Sequence, residues 1–89
     1  MDKSGALEHF VYVLQCKDGT LYTGSTKDLE GRLHAHNHLK SGAKYTRVRR
    51  PVELVYSERC ESLSMARSRE AEIKRLTRTE KLEFIRPSA

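Results

Sequence analysis

The longest apolar run of the chain, "FVYVL" at residues 10–14, lies within "HFVYVLQC", a stretch rich in β-branched and aromatic side chains that reads as a strand. "KDGT" follows, and its Asp18-Gly19 pair signals a hairpin turn, so "LYTGS" is the returning strand of a hairpin over about residues 9–25. Thr26 is then the expected N-cap of a helix over about 27–38. Asp28 and Glu30 fall in its first turn, where the helix dipole favours acids, and Leu29, Leu33 and His36 share one stripe. "KSGAKYTRVRR" is polar, basic and broken by Gly42, which predicts a loop. Pro51 opens "VELVYSE", a third strand. Ser62 caps a second helix over about 63–76, with Leu63, Ala66, position 70, Ile73 and Leu76 on its inward stripe. "TRTE" at 77–80 matches a capping box and starts a short third helix with Leu82 and Ile85 inward, ending before Pro87. The order ββαβαα predicts an α+β fold, a small three-stranded antiparallel β-sheet flanked by helices in two layers. Residues 1–8 are expected to be a flexible N-terminal tail and residues 9–86 a single domain.

Size and charge narrow the function. A chain of 89 residues with 37% hydrophobic and 33% charged positions has room for one thin core. The apolar run is far too short for a membrane span or a signal-peptide core, so the expected location is cytoplasmic. Cys16 and Cys60 stand in no metal-ligand spacing and are expected to be free, buried thiols. Residues 27–50 hold seven basic side chains (Lys27, Arg32, Lys40, Lys44, Arg47, Arg49, Arg50) against Asp28 and Glu30, a net of +5 that equals the net charge of the whole chain. That concentration is the footprint of a face that meets a polyanion, or else of a solvated basic loop.

Some residues are not explained by packing. Glu70 interrupts the inward stripe of the second helix, where an unpaired carboxylate is costly to desolvate. It needs a cation, either an arginine or a divalent metal held through carboxylate oxygen and water. Arg32 and His36 are one turn apart on the first helix. Arginine there can fork onto phosphate oxygens and histidine can relay a proton near neutral pH, although a snorkelling arginine and a surface histidine are ordinary too. His34 and His38 have the same spacing and are rival zinc ligands, but no third ligand stands near them in sequence. Tyr12 and Tyr22 lie on the two hairpin strands; if inward, their hydroxyls sit near the sheet surface that the first two helices cover and need partners.

Taken together, these residues resemble the GIY-YIG nuclease family. Phe10-Val11-Tyr12 corresponds to its first half-motif and Tyr22-Thr23-Gly24 to its second, with Phe10 where the name-giving glycine would stand. Arg32, His36 and Glu70 in "SREAEIKRL" complete the pattern in order, and "GAKYTRVRRPVELVY" is similar to the small stand-alone members. The resemblance runs from about residue 8 to 83. It implies metal-dependent hydrolysis of phosphodiesters in DNA, in repair or recombination, with Mg²⁺ or Mn²⁺ held by Glu70 beside the scissile phosphate and neutralising charge on the leaving 3′-oxygen. It implies phosphate binding by Arg32, activation of the attacking water by Tyr22 or His36, and support from Tyr12. Two departures stand out. The asparagine that several relatives carry after the metal glutamate is missing, Asn37 being the only asparagine, and Ser25 stands where some repair relatives have lysine. Slow or partner-dependent cleavage is therefore expected, with specificity supplied by a protein partner.

Two other functions fit the same residues. A nucleic-acid-binding module with an idle site would use Lys44, Tyr45, Arg47, Arg49 and Arg50 to grip phosphates and stack a base. A protein-binding adaptor would use none of them in this way.

Overall fold

The computed structural model describes residues 8–39 and 43–85. The tail expected over 1–8 lies outside these residues apart from Glu8, as does the stop before Pro87. The hairpin forms as its turn chemistry dictates, with β1 (His9–Gln15) and β2 (Leu21–Thr26) antiparallel. Gly19 takes φ +87°, which only glycine adopts without strain. Asp18 Oδ1 accepts from the Thr20 amide at 3.1 Å and from its hydroxyl at 2.7 Å, closing the turn. The third strand, β3 (Glu53–Cys60), pairs antiparallel with the other edge of β1, so the order is β2-β1-β3.

Four helices surround this sheet: α1 (Leu29–His38), α2 (Lys44–Arg47), α3 (Leu63–Lys74) and α4 (Arg78–Ile85). They cover both faces, which corrects the two-layer expectation. Val11 and Val13 point to one face and pack with Cys60, Ala66 and Ile73, joined by Phe84 and Ile85. Tyr12, Leu14 and Cys16 point to the other face and pack with Val52, Tyr22, Leu29 and Leu33. The physical reason lies in β1, whose "VYVL" is buried at every position; a strand apolar at both parities needs cover on both sides. α1 and α2 consequently share the tyrosine face, while α3, expected to cover it as well, lies on the opposite one. Both cysteines are buried and free, as expected.

Capping sets the helix starts. Ser62 Oγ accepts from the Met65 amide at 3.1 Å, and Thr77 and Glu80 exchange the two bonds of a capping box at 2.9 and 3.1 Å. For α1 the cap is Asp28, not Thr26: Asp28 Oδ1 accepts from the Gly31 amide at 3.1 Å, while Thr26 Oγ1 accepts from the Asp28 amide. The predicted basic loop contains the one-turn helix α2, and α3 stops two residues earlier than predicted. Leu63 and Leu82, expected inward, are exposed; the inward place on α4 belongs to Phe84, whose ring lies 4.7 Å from that of Tyr56.

Candidate active site

Position 24 is the point from which the site is built. Tyr12 and Gly24 are cross-strand partners on the face covered by α1. A β-carbon at position 24 would lie 2.6 Å from Tyr12 Oη and 2.7 Å from Tyr12 Cζ, well inside contact distance. Glycine therefore lets the Tyr12 phenol fold over the backbone of β2 and end near the sheet edge. Tyr22, two residues earlier on the same face, brings its ring to 6.5 Å from that of Tyr12. Both tyrosines lie on the face that α1 covers, not on one that α3 shares as expected; Tyr12 is 2% exposed and Tyr22 half-buried.

His36 lies on the inward side of α1 and is fully buried. Its Nε2 is 2.9 Å from Tyr12 Oη, and its Nδ1 is 2.7 Å from Thr46 Oγ1 on α2. Its ring edge meets Tyr22 at 5.2 Å. Burial, helped by the charges of Arg32 and Arg50, pushes the imidazole down to about 4. The same desolvation pushes the Tyr12 phenol up to about 12, with a hydrogen bond from Arg32 pulling the other way. At neutral pH both groups are uncharged. Arg32 thus touches the same phenol and completes a cluster of four: Tyr12, Tyr22, Arg32 and His36.

Thr46 donates its hydroxyl proton to the Ala43 carbonyl at 2.9 Å. A hydroxyl that donates there has its oxygen left for His36 Nδ1, an arrangement in which the imidazole proton sits on Nδ1 and Nε2 is open to the Tyr12 hydroxyl. Among the described residues, the two ring nitrogens of His36 are taken up by Thr46 and Tyr12. Sequence reasoning missed Thr46 because it sits in an aperiodic basic segment; the only available signal was that a buried histidine needs two partners.

Glu70 arrives from the opposite face. Position 25 points toward α3, and Ser25 Oγ donates to Glu70 Oε1 at 2.9 Å, one residue beyond Gly24. The other carboxylate oxygen is 2.9 Å from Lys74 Nζ. The side chain is 21% exposed and borders a surface recess with Arg67, Ala71 and Lys74. Its negative charge is felt at Tyr12, whose phenol it helps to keep protonated. So the cation that the inward glutamate called for is, in this structure, a lysine one turn along its own helix. Lys74 is 55% exposed, and an exposed ion pair of this kind is worth only about 0.3–0.5 kcal/mol, so it does not seal the carboxylate.

The predicted basic face divides in two. Lys44 and Arg47 are exposed on α2. Arg50 is spent inside the protein, donating to the carbonyls of Ala35, His36 and Leu39 and capping the C-terminus of α1. Arg49 donates to Asp18 and to the Tyr45 carbonyl, and its guanidinium covers one face of the Tyr45 ring at 3.9 Å. Tyr45 also stacks on Tyr22 at 5.9 Å, so it serves as a buttress for Tyr22 and not as an open platform for a base. Asn37 exchanges two hydrogen bonds with the backbone of Val52 and takes no part in the site. His34 and His38 bring their rings to 4.8 Å, and among the described residues no three His, Cys, Asp or Glu side chains converge as metal ligands.

Known proteins resemble this chain over most of its length. A family model described as the GIY-YIG catalytic domain matches residues 8–83. A UPF0213 protein of Syntrophus aciditrophicus is 53% identical over 79 residues, which cover 89% of this chain and 91% of that protein. One of Staphylococcus epidermidis is 55% identical over 78 residues, covering 88% and 94%. Among solved structures, a solution NMR structure of a UPF0213 protein from Bacillus halodurans is 42% identical, covers 88% of this chain and 82% of that one, and has a TM-score of 0.57. A solution NMR structure of an E. faecalis protein is 41% identical with the same coverage and a TM-score of 0.61.

Proposed function

We propose that this chain, which belongs to the GIY-YIG family of endonucleases, hydrolyses phosphodiester bonds in DNA with the help of a divalent cation. The observation that carries the reading is the neutral Tyr12–His36 pair, joined at 2.9 Å beside Arg32 and held over Gly24. A phenol pushed up to about 12 is protonated at neutral pH, so it acts as a base only by passing its own proton to the adjacent imidazole, and because His36 is held down to about 4 that transfer relies on the negative charge a bound phosphate brings beside it. As water approaches, it gives a proton to Tyr12 Oη while the Tyr12 proton moves to His36 Nε2; the resulting hydroxide attacks phosphorus and the leaving oxygen takes its proton from solvent. Arg32 holds the non-bridging oxygens, and its positive charge favours each anionic form along the path. Tyr22, wedged between His36 and Tyr45, orients the water. The expected choice between Tyr22 and His36 as base is thereby replaced by Tyr12 backed by His36.

The donor set fits a hard cation. Glu70 offers one partly exposed carboxylate with a hydroxyl beside it, suited to Mg²⁺ or Mn²⁺, which keep most of their water, and unsuited to a zinc cage. Bound there, such a cation supplies charge neutralisation for the oxygen leaving phosphorus. Lys44 and Arg47 supply the phosphate contacts of the basic face, and the protein acts on DNA in the cytoplasm.

The test is nicking of branched and linear DNA with and without Mg²⁺ or Mn²⁺, comparing the protein with Glu70→Ala. Cation-dependent cleavage lost in the variant, with DNA binding retained, supports the reading; equal cleavage by both means that the activity is a contaminant. A second reading, a DNA-binding module with an idle site, draws on the engagement of both Glu70 oxygens by Ser25 and Lys74. It predicts salt-sensitive DNA binding with no cleavage under any cation.

A further inference from the structure

We propose that Thr46 is a positioning residue that locks the tautomer of His36, and that the one-turn helix α2 exists in this fold to deliver it. This deepens the reaction proposed above and rests on it for its catalytic consequence, but the lock itself can be measured without any reaction.

Three of the four residues of α2, namely Lys44, Tyr45 and Arg47, are exposed, and only Thr46 is buried, with no exposed surface at all. A β-branched hydroxyl placed alone in the interior has to satisfy both its proton and its oxygen. Thr46 does so in a fixed direction. Its proton goes to the Ala43 carbonyl at 2.9 Å, within its own turn, and its oxygen faces His36 Nδ1 at 2.7 Å. The hydroxyl therefore has only an acceptor role left for the histidine.

A neutral imidazole carries one proton, and the two tautomers have opposite consequences for Tyr12. With the proton on Nδ1, Nε2 is open to receive the Tyr12 proton. With the proton on Nε2, the imidazole donates to Tyr12 Oη and cannot take its proton, so the pair is useless as a base. Thr46 selects the first arrangement. It also tolerates the product: when His36 gains a proton on Nε2, Nδ1–H still donates to Thr46 Oγ1, so no hydrogen bond in the chain from Ala43 to Nδ1 has to be remade. A second link, through Arg49 and Asp18, ties α2 to the hairpin turn and steadies the turn that carries the hydroxyl.

The experiment is ¹⁵N NMR of histidine-labelled protein at neutral pH, which reports directly which ring nitrogen of His36 bears the proton, alongside single-turnover cleavage. The unaltered protein and Thr46→Ser should carry the proton on Nδ1. Thr46→Val, which keeps the shape and removes the acceptor, should shift the population toward Nε2–H. Cleavage should fall on the order of 100-fold in kcat for Thr46→Val, with KM unchanged, and recover to within a few-fold in Thr46→Ser. A proton on Nε2 in the unaltered protein overturns the lock, and so does a folded Thr46→Val that keeps the Nδ1–H signature. The unaltered protein alone supplies the first of these readouts if the valine variant does not fold. Should the tautomer behave as stated while no variant cleaves DNA, the lock stands and the nuclease reading fails.

Discussion

Tyr12 and Gly24 occupy one site between them: the phenol of the first fills the space where a β-carbon of the second would be, at 2.6 Å from the hydroxyl oxygen. The two residues are cross-strand neighbours, so the missing side chain on the edge strand is what allows a buried central-strand tyrosine to present its hydroxyl at the rim of the sheet.

Gly24→Ala should displace that phenol and break its bond to His36. Overpacking a filled site costs roughly 1–3 kcal/mol, and the expected loss of cleavage is 10-fold or more. Urea unfolding and single-turnover nicking measure the two effects; an alanine variant with unaltered rate and stability would remove the close approach from the account.

Acid should weaken the fold through His36. The unfolded chain takes up this proton near pH 6.5 and the folded chain only near 4, so the unfolded state binds more protons throughout that window and stability falls as pH drops across it. The contribution is on the order of 3 kcal/mol, and the alkaline limb mirrors it: Tyr12 stability is present below pH 10 and is lost as pH rises to about 12. Urea midpoints from pH 4 to 8 should show a shallower acid slope in His36→Gln. Identical slopes in the two proteins would mean that another group governs the acid limb.

Lys74→Met should leave the fold intact, since an exposed i,i+4 pair contributes no more than about 0.5 kcal/mol. It should also open one Glu70 oxygen and strengthen cation binding several-fold. Titration with Mn²⁺, followed by paramagnetic broadening of NMR signals near Glu70, reads this without DNA. Unchanged broadening would show that Lys74 does not compete for the carboxylate.

The arginines of the basic segment should separate by assay. Arg50→Ala removes the donor that caps three carbonyls of α1 and should cost about 2 kcal/mol of stability. Arg47→Ala should leave stability unchanged and reduce the dependence of DNA binding on log salt by about one. Finding the salt slope altered by the first substitution and not by the second would reverse these assignments.

Short-range chemistry was legible in the chain itself. Asp18-Gly19, Ser62 and the Thr77–Glu80 box each act over two or three residues, and each formed as read. The N-cap of α1 was misplaced by two positions because Thr26 and Asp28 are both good caps, and only the path of the backbone chooses between them. Tyr12, Tyr22, Arg32, His36 and Glu70 could be named as a set from their resemblance to a known family's motifs, and the structure brings the first four together while Glu70 reaches the sheet edge from the opposite face.

The directions in which those groups face were not written in local pattern. Arg50 looks like one more basic surface residue until α1 ends beneath it, and Thr46 looks like loop polarity until His36 is buried against it. The amino-acid sequence by itself determined the strands, the caps of α3 and α4 and most of the groups able to do chemistry, because these follow from neighbours a few residues apart. Tertiary packing decided which hydroxyl meets which ring nitrogen and which hydroxyl meets Glu70 across the sheet edge: His36 and Thr46 are ten residues apart and Ser25 and Glu70 forty-five, and such meetings depend on how buried surfaces fit.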